Sequence, residues 1–138
     1  MPVGDEIEVA KTTDSALTGT NLRLILRNLN IKTVICTGNF TDQCVSSTVR
    51  SLADESFAVI VLEDLCVAES ETLHHQELEI IRMIYCHLVH SDDLTEIMGL
   101  VWQPSPVERP ACQAGPFILY FPQGPLGQAL SNKGGWWM

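Results

Sequence analysis

Basic residues are scarce. Eight Lys and Arg stand against seventeen Asp and Glu, a formal net charge of −9. With no basic stripe to neutralise phosphates, a nucleic-acid partner is not expected. The five cysteines (36, 44, 66, 86 and 112) show no CxxC or CxC spacing, which argues against structural zinc. No GxGxxG or Walker pattern follows any apolar run, which argues against a dinucleotide- or nucleotide-binding loop. The longest apolar runs are strand-sized, such as 57–62, and too short to span a membrane. The opening MPVGDEIEVAK carries three acids before its first lysine and no apolar core, so no signal peptide is expected. An odd, scattered set of cysteines without such a leader suggests reduced thiols and a cytoplasmic location. What is present is apolar substance: 46% of the 138 residues are hydrophobic, enough for one domain with a single core.

Up to residue 98, short β-like runs alternate with amphipathic stretches. Ile7–Ala10 reads as a strand ending at Lys11. Thr20 is placed to cap a helix carrying Leu22, Ile25, Leu26 and Leu29 on one face, and Asn30 ends it. Thr33–Thr37 is a β-branched run closed by Gly38. From Cys44 to Ser56, Val45, Val49, Leu52 and Ala53 keep helical spacing. Phe57–Leu62 is almost continuously apolar, as a strand covered on both faces would be. His74–His87 is a helical candidate with Leu78, Ile81, Ile84, Tyr85 and Leu88 as its buried stripe and Glu69, Glu71, Glu77 and Glu79 on a solvated face. Leu88–His90 reads as a last strand, and Asp92 and Asp93 as the acidic start of a last helix. Strands and helices alternating at these lengths imply an α/β domain with a mainly parallel sheet and right-handed crossovers.

At Gly99 the character changes. Residues 99–138 hold six of the seven prolines but one of the seventeen acids, so the first 98 residues carry −10 and the rest +1. The expected division is therefore a domain over 1–98 and an irregular Pro/Gly-rich tail over 99–138.

In open α/β sheets, reactive groups gather at the carboxyl ends of strands. Lys11 ends the first such run, and the segment Gly38–Cys44 leads from the second into a helix. A thiol at a helix amino terminus faces the positive end of the dipole and unpaired N–H groups, which favour a negative sulfur. The same N–H groups suit the oxyanion of a tetrahedral intermediate. Cys36 and Cys86 read as packing residues within a strand and a helix, and Cys66 as a residue of the loop after Asp64, within reach of a pocket but with packing the favoured role. His74 and His75 read as an exposed first turn, and no histidine is taken as a metal ligand.

Two motifs carry a more specific resemblance. Lys11-x-x-x-Ser15-Ala16-Leu17-x-Gly19-Thr20-x-Leu22 resembles the lysine motif of the isochorismatase-like cysteine hydrolases, the nicotinamidase and ureidoacrylate amidohydrolase relatives. Gly38-x-x-Thr41-Asp42-x-Cys44-Val45-x-x-Thr48 resembles their nucleophile motif. The likeness covers residues 2–98 and implies a three-layer, Rossmann-like parallel sheet. It also implies an Asp–Lys–Cys triad that hydrolyses a C–N bond of a small amide or ureido substrate. By this resemblance Cys44 is the nucleophile and Lys11 the triad lysine, the N–H groups of Phe40 and Cys44 line the oxyanion hole, and the Asn39–Phe40 peptide is cis. Glu63–Asp64 falls at a strand end where the family often has an acid. No cofactor and no metal are expected, and family members commonly form homo-oligomers.

The departures are as informative. The family's catalytic aspartate ends a strand far upstream of the lysine motif, and this sequence begins just before the lysine strand. The fold is therefore expected to be incomplete, an amino-terminally truncated version without its first strands. Asp5, Asp14 and Asp42 sit elsewhere relative to the motif and none is given the aspartate's role, which leaves Cys44 without a base. Leu17 stands where many relatives have Phe. The alternative reading is a catalytically incomplete relative that acts, if at all, by association. With the first strands gone, the 33–37 strand becomes an exposed edge. Ile7–Ala10 then either pairs beside it or hangs free, and in the second case the site is not assembled.

Overall fold

In the computed structural model, residues 7–98 and 118–120 are described, with side chains over 7–94. Chain order is helix α1 (Leu22–Asn28), strand β1 (Thr33–Asn39), a π-helical turn (Thr41–Val45) running into helix α2 (Ser46–Asp54), strand β2 (Ala58–Val67), helix α3 (Glu71–Ile81), strand β3 (His87–Val89), helix α4 (Ser91–Met98) and strand β4 (Ile118–Tyr120). The sheet order is β3-β2-β1-β4. The first three strands are parallel, and β4 is antiparallel to β1.

Side-chain alternation along the strands divides the core in two. On one face Val34, Cys36, Val59 and Val61 meet Leu22 and Leu26 of α1, Val49 and Leu52 of α2, and Leu78 and Ile81 of α3. On the other, Ile35, Ile60 and Leu62 meet Leu94 of α4, with Val89 packed alongside. Helices on both faces make three layers and explain why β2 begins as an unbroken apolar run. No helix among the described residues is long and apolar enough to cross a membrane.

Several expectations are corrected. Ile7–Ala10 forms no strand, because no neighbouring strand lies beside it among the described residues to take its hydrogen bonds. The far side of β1 is covered instead by β4, with Ile35 opposite Tyr120 and Thr37 opposite Ile118. Three residues of the stretch expected to be irregular thus form a strand, and the rest of 99–138 lies outside the described residues, as do Asp5 and Cys112. Helix α3 begins three residues before His74 and stops at Ile81, so Ile84 falls beyond it and is 72% exposed rather than buried. Cys86 lies after that helix, in the approach to β3, and is buried. Glu77 is not on a solvated face. It accepts from the Ser46 hydroxyl (2.5 Å) and pairs with Arg50 (2.7 Å), tying α3 to α2, while Arg50 also lies over the Tyr85 ring.

Strand β2 runs to Val67, five residues past Leu62, where polar Glu63 and Asp64 suggested an end. Its register against β1 shifts there: Cys36 pairs with Val61, but Gly38 pairs with Cys66. Asp64 accepts from the amide (2.8 Å) and hydroxyl (2.5 Å) of Ser91, so it caps α4 from the sheet. Burial pushes this carboxyl up, but the two Ser91 hydrogen bonds and nearby His90 outweigh burial and hold it below the ordinary aspartate range.

Candidate active site

The segment between β1 and α2 is built to present a side chain. Gly38 has φ +125°, a conformation open to glycine and strained for any residue with a Cβ. The following Asn39–Phe40 peptide is cis. The chain then enters the π-helical turn, where the Phe40 carbonyl accepts from both Gln43 and Val45 N–H groups (3.1 and 3.2 Å). Such turns are concentrated at functional sites. Thr41 at its start is fully buried, and its hydroxyl hydrogen-bonds His74 Nδ1 at 2.8 Å. His74 is therefore half-buried against the turn and not simply an exposed first-turn residue. Its one sequence signal was its place in the first turn of an amphipathic helix, which does not say what that turn faces.

Cys44, half-buried, is the fourth residue of this turn. Lys11 reaches it without a strand beneath: its Nζ donates to Cys44 Sγ at 3.3 Å and to the carbonyls of Thr13 (3.0 Å) and Asp14 (3.1 Å). An ammonium has three N–H donors, and these three acceptors use them all. The expectation that a free-hanging 7–10 segment leaves the site unassembled is therefore wrong. The reason lies in the residues that follow. Thr48, fully buried, donates to the Cys44 carbonyl (2.7 Å) and accepts from the Ala16 N–H (2.9 Å), so one hydroxyl joins the two motifs. Ser15 donates to Ser51 (2.8 Å), which donates to the Ser47 carbonyl (2.9 Å), and Ala16 and Leu17 are buried in the core. Leu17 thus occupies a packing position.

Thr48→Val keeps the shape but leaves the buried Ala16 N–H without its acceptor. We expect a loss of about 1–3 kcal/mol, read from urea unfolding, with Thr48→Ser close to the parent. Equal stability of the valine and parent proteins would show that this hydroxyl does not fasten the lysine segment.

Asp14 is the largest departure from expectation. Sequence spacing gave it no role, yet the Cys44 thiol donates to its Oδ1 at 3.3 Å and the Ser47 hydroxyl to its Oδ2 at 2.9 Å. Asp42, in the same turn, shows no such contact, and its Oδ1 is buried without a hydrogen-bond partner among the described residues. The N–H groups of Phe40 and Cys44 flank the turn at either end of its first four residues.

The remaining described cysteines are free and buried. Burial, with neighbouring Cys66 and Cys86, pushes the Cys36 thiol far up. Burial likewise pushes Cys66 and Cys86 each up to about 12. Cys66 lies in β2 and not in a loop, so it is a packing residue like Cys36.

A mainly parallel α/β sheet with a lysine, a thiol and a carboxylate in contact past the carboxyl end of β1 defines a class of α/β domain with a cysteine-centred polar site. The family is then direct: the isochorismatase domain model matches residues 2–93, and the chain belongs to that family. It is 28% identical over 104 residues to the uncharacterized isochorismatase family protein YrdC of Bacillus subtilis, covering 67% of this chain and 56% of that protein. Among solved structures, an isochorismatase-like hydrolase from Alkaliphilus metalliredigens superposes with a TM-score of 0.69 at 30% identity, over 71% of this chain and 53% of the other. N-carbamoylsarcosine amidase from Thermoplasma acidophilum gives 0.61 at 28%, over 66% and 51%. The chain spans about half the length of the relatives it matches.

Proposed function

We propose that this protein hydrolyses a C–N bond of a small amide or ureido compound, with Cys44 as nucleophile. The observation that carries this reading is the 3.3 Å contact between Lys11 Nζ and Cys44 Sγ. An ammonium so placed stabilises negative charge on sulfur, the form that attacks a carbonyl. Sulfur bonds to the carbonyl carbon and the C=O electrons move to oxygen, where the N–H groups of Phe40 and Cys44 receive the charge. Collapse expels the amine and leaves a thioester, and water then releases the acid and restores the thiol. Family membership and the likeness to an amidase of N-carbamoylsarcosine support the bond type.

The test is ammonium release from nicotinamide and N-carbamoylsarcosine by the parent and by Cys44→Ala. Release that the variant abolishes is the expected result, and release that survives the substitution overturns the assignment. A second reading is a relative that keeps the fold without turnover. It requires that neither compound, nor any other C–N substrate, be cleaved.

A further inference from the structure

We propose that Asp14 is the proton acceptor and donor for Cys44. This rests on the nucleophile reading above and assigns a base to it from the contacts of Asp14 alone. Asp14 lies in a segment without regular structure, yet both its carboxylate oxygens are engaged on the nucleophile-bearing helix, Oδ1 by the Cys44 thiol and Oδ2 by the Ser47 hydroxyl. Its own carbonyl accepts from Lys11 Nζ, so the ammonium and the carboxylate are held by one loop against one sulfur. The loop is in turn fastened to α2 through Thr48 and the Ser15–Ser51 bond. A carboxylate that accepts the S–H bond in the resting site is already in place to take its proton.

The cycle balances with this one residue. Asp14 takes the thiol proton as sulfur bonds to the carbonyl carbon, and gives it to the nitrogen as the C–N bond breaks and the amine leaves. It then takes a proton from the water that attacks the thioester, and returns it to sulfur as the C–S bond breaks. Amide and water have become acid and amine, and the site is as it began.

The test needs no knowledge of the natural substrate. Acetylation of Cys44 by p-nitrophenyl acetate, followed by mass spectrometry on the full chain, reads thioester formation, and decay of the acetyl group reads its hydrolysis. Iodoacetamide reads the sulfur itself. Asp14→Asn removes the base but keeps an oxygen for Ser47, at a site exposed to solvent. A carboxylate beside sulfur disfavours negative charge there, so the variant should alkylate roughly tenfold faster at pH 7. The p-nitrophenolate leaving group needs no proton, and once the carboxylate is gone solvent water takes the thiol proton in forming the thiolate that attacks this activated ester, so acetylation should be no slower. The thiol-proton step itself is read only with a poor leaving group. The thioester should then persist, its hydrolysis slowed ~10²–10⁴-fold by loss of the base.

The opposed directions separate a proton role from a structural one. Thioester decay within about twofold of the parent overturns the proposal, as does slowing of alkylation and decay together, the mark of a loosened loop. If the parent's Cys44 is not acetylated at all, the nucleophile reading fails and the proton role with it.

Discussion

Iodoacetamide at pH 7 is expected to label Cys44 about 10³-fold faster than Cys66 or Cys86, with Cys36 slower still. An ordinary accessible thiol is a few per cent thiolate at this pH, whereas one pushed up to about 12 holds roughly 10⁻⁵ of that form. Burial compounds the difference, since Cys36 is fully enclosed between sheet and helices and the reagent must wait for an opening. Cys44 alone of the four is not buried, and it alone has an ammonium in contact. Peptide mapping after a brief pulse decides the matter. Labelling spread evenly over the four, or led by Cys66, would mean that the turn does not present its thiol.

The second large effect concerns Lys11. Lys11→Met keeps the length of the side chain and removes the charge and all three donors, so the negative sulfur and the transition state both lose their cation. Alkylation of Cys44 should slow about tenfold or more. Hydrolysis should fall by ~10²–10³, the loss typical of one well-placed electrostatic donor. Lys11→Arg should rescue poorly, because a planar guanidinium cannot direct one N–H at sulfur while two others bind the carbonyls of Thr13 and Asp14. The direction of the alkylation change is opposite to that expected for Asp14→Asn, although the two residues lie in one loop. Full activity in Lys11→Met would remove the lysine from the chemistry.

What could be read from the sequence was what periodicity or a compact motif encodes. The apolar runs at 33–37 and 57–62 became β1 and the first half of β2, and the spacing of Val45, Val49 and Leu52 became the buried face of α2. The lysine and nucleophile motifs brought Lys11 and Cys44 forward as candidates, and the fold places them in contact. Contacts made by irregular chain were not legible. Asp14 meets Cys44 because Thr48 and Ser15 fold the lysine loop onto α2, and no periodicity records such side-chain to backbone ties. Polar Glu63 and Asp64 looked like a strand end because β2 accommodates them at a register shift, where alternation fails. Ile84 looked buried because spacing alone does not reveal that α3 stops at Ile81 to let Cys86 turn inward toward β3.

The pairing of β4 with β1 also sets an order of events during synthesis. Strand β3 is complete at Val89, and β4 begins at Ile118, about 30 residues later. At roughly 5–20 residues per second, the ribosome takes ~1.5–6 s to cover that interval. Strands β1, β2 and β3 are parallel and joined through helices, so they can pair with one another as soon as β3 is free, without waiting for β4. The nascent chain therefore carries β1, β2 and β3 for seconds before the strand that flanks β1 has been made. On a polysome several such chains hang side by side, each offering the same unpaired row of backbone groups to its neighbours. Slower translation between Val89 and Ile118 would lengthen this interval.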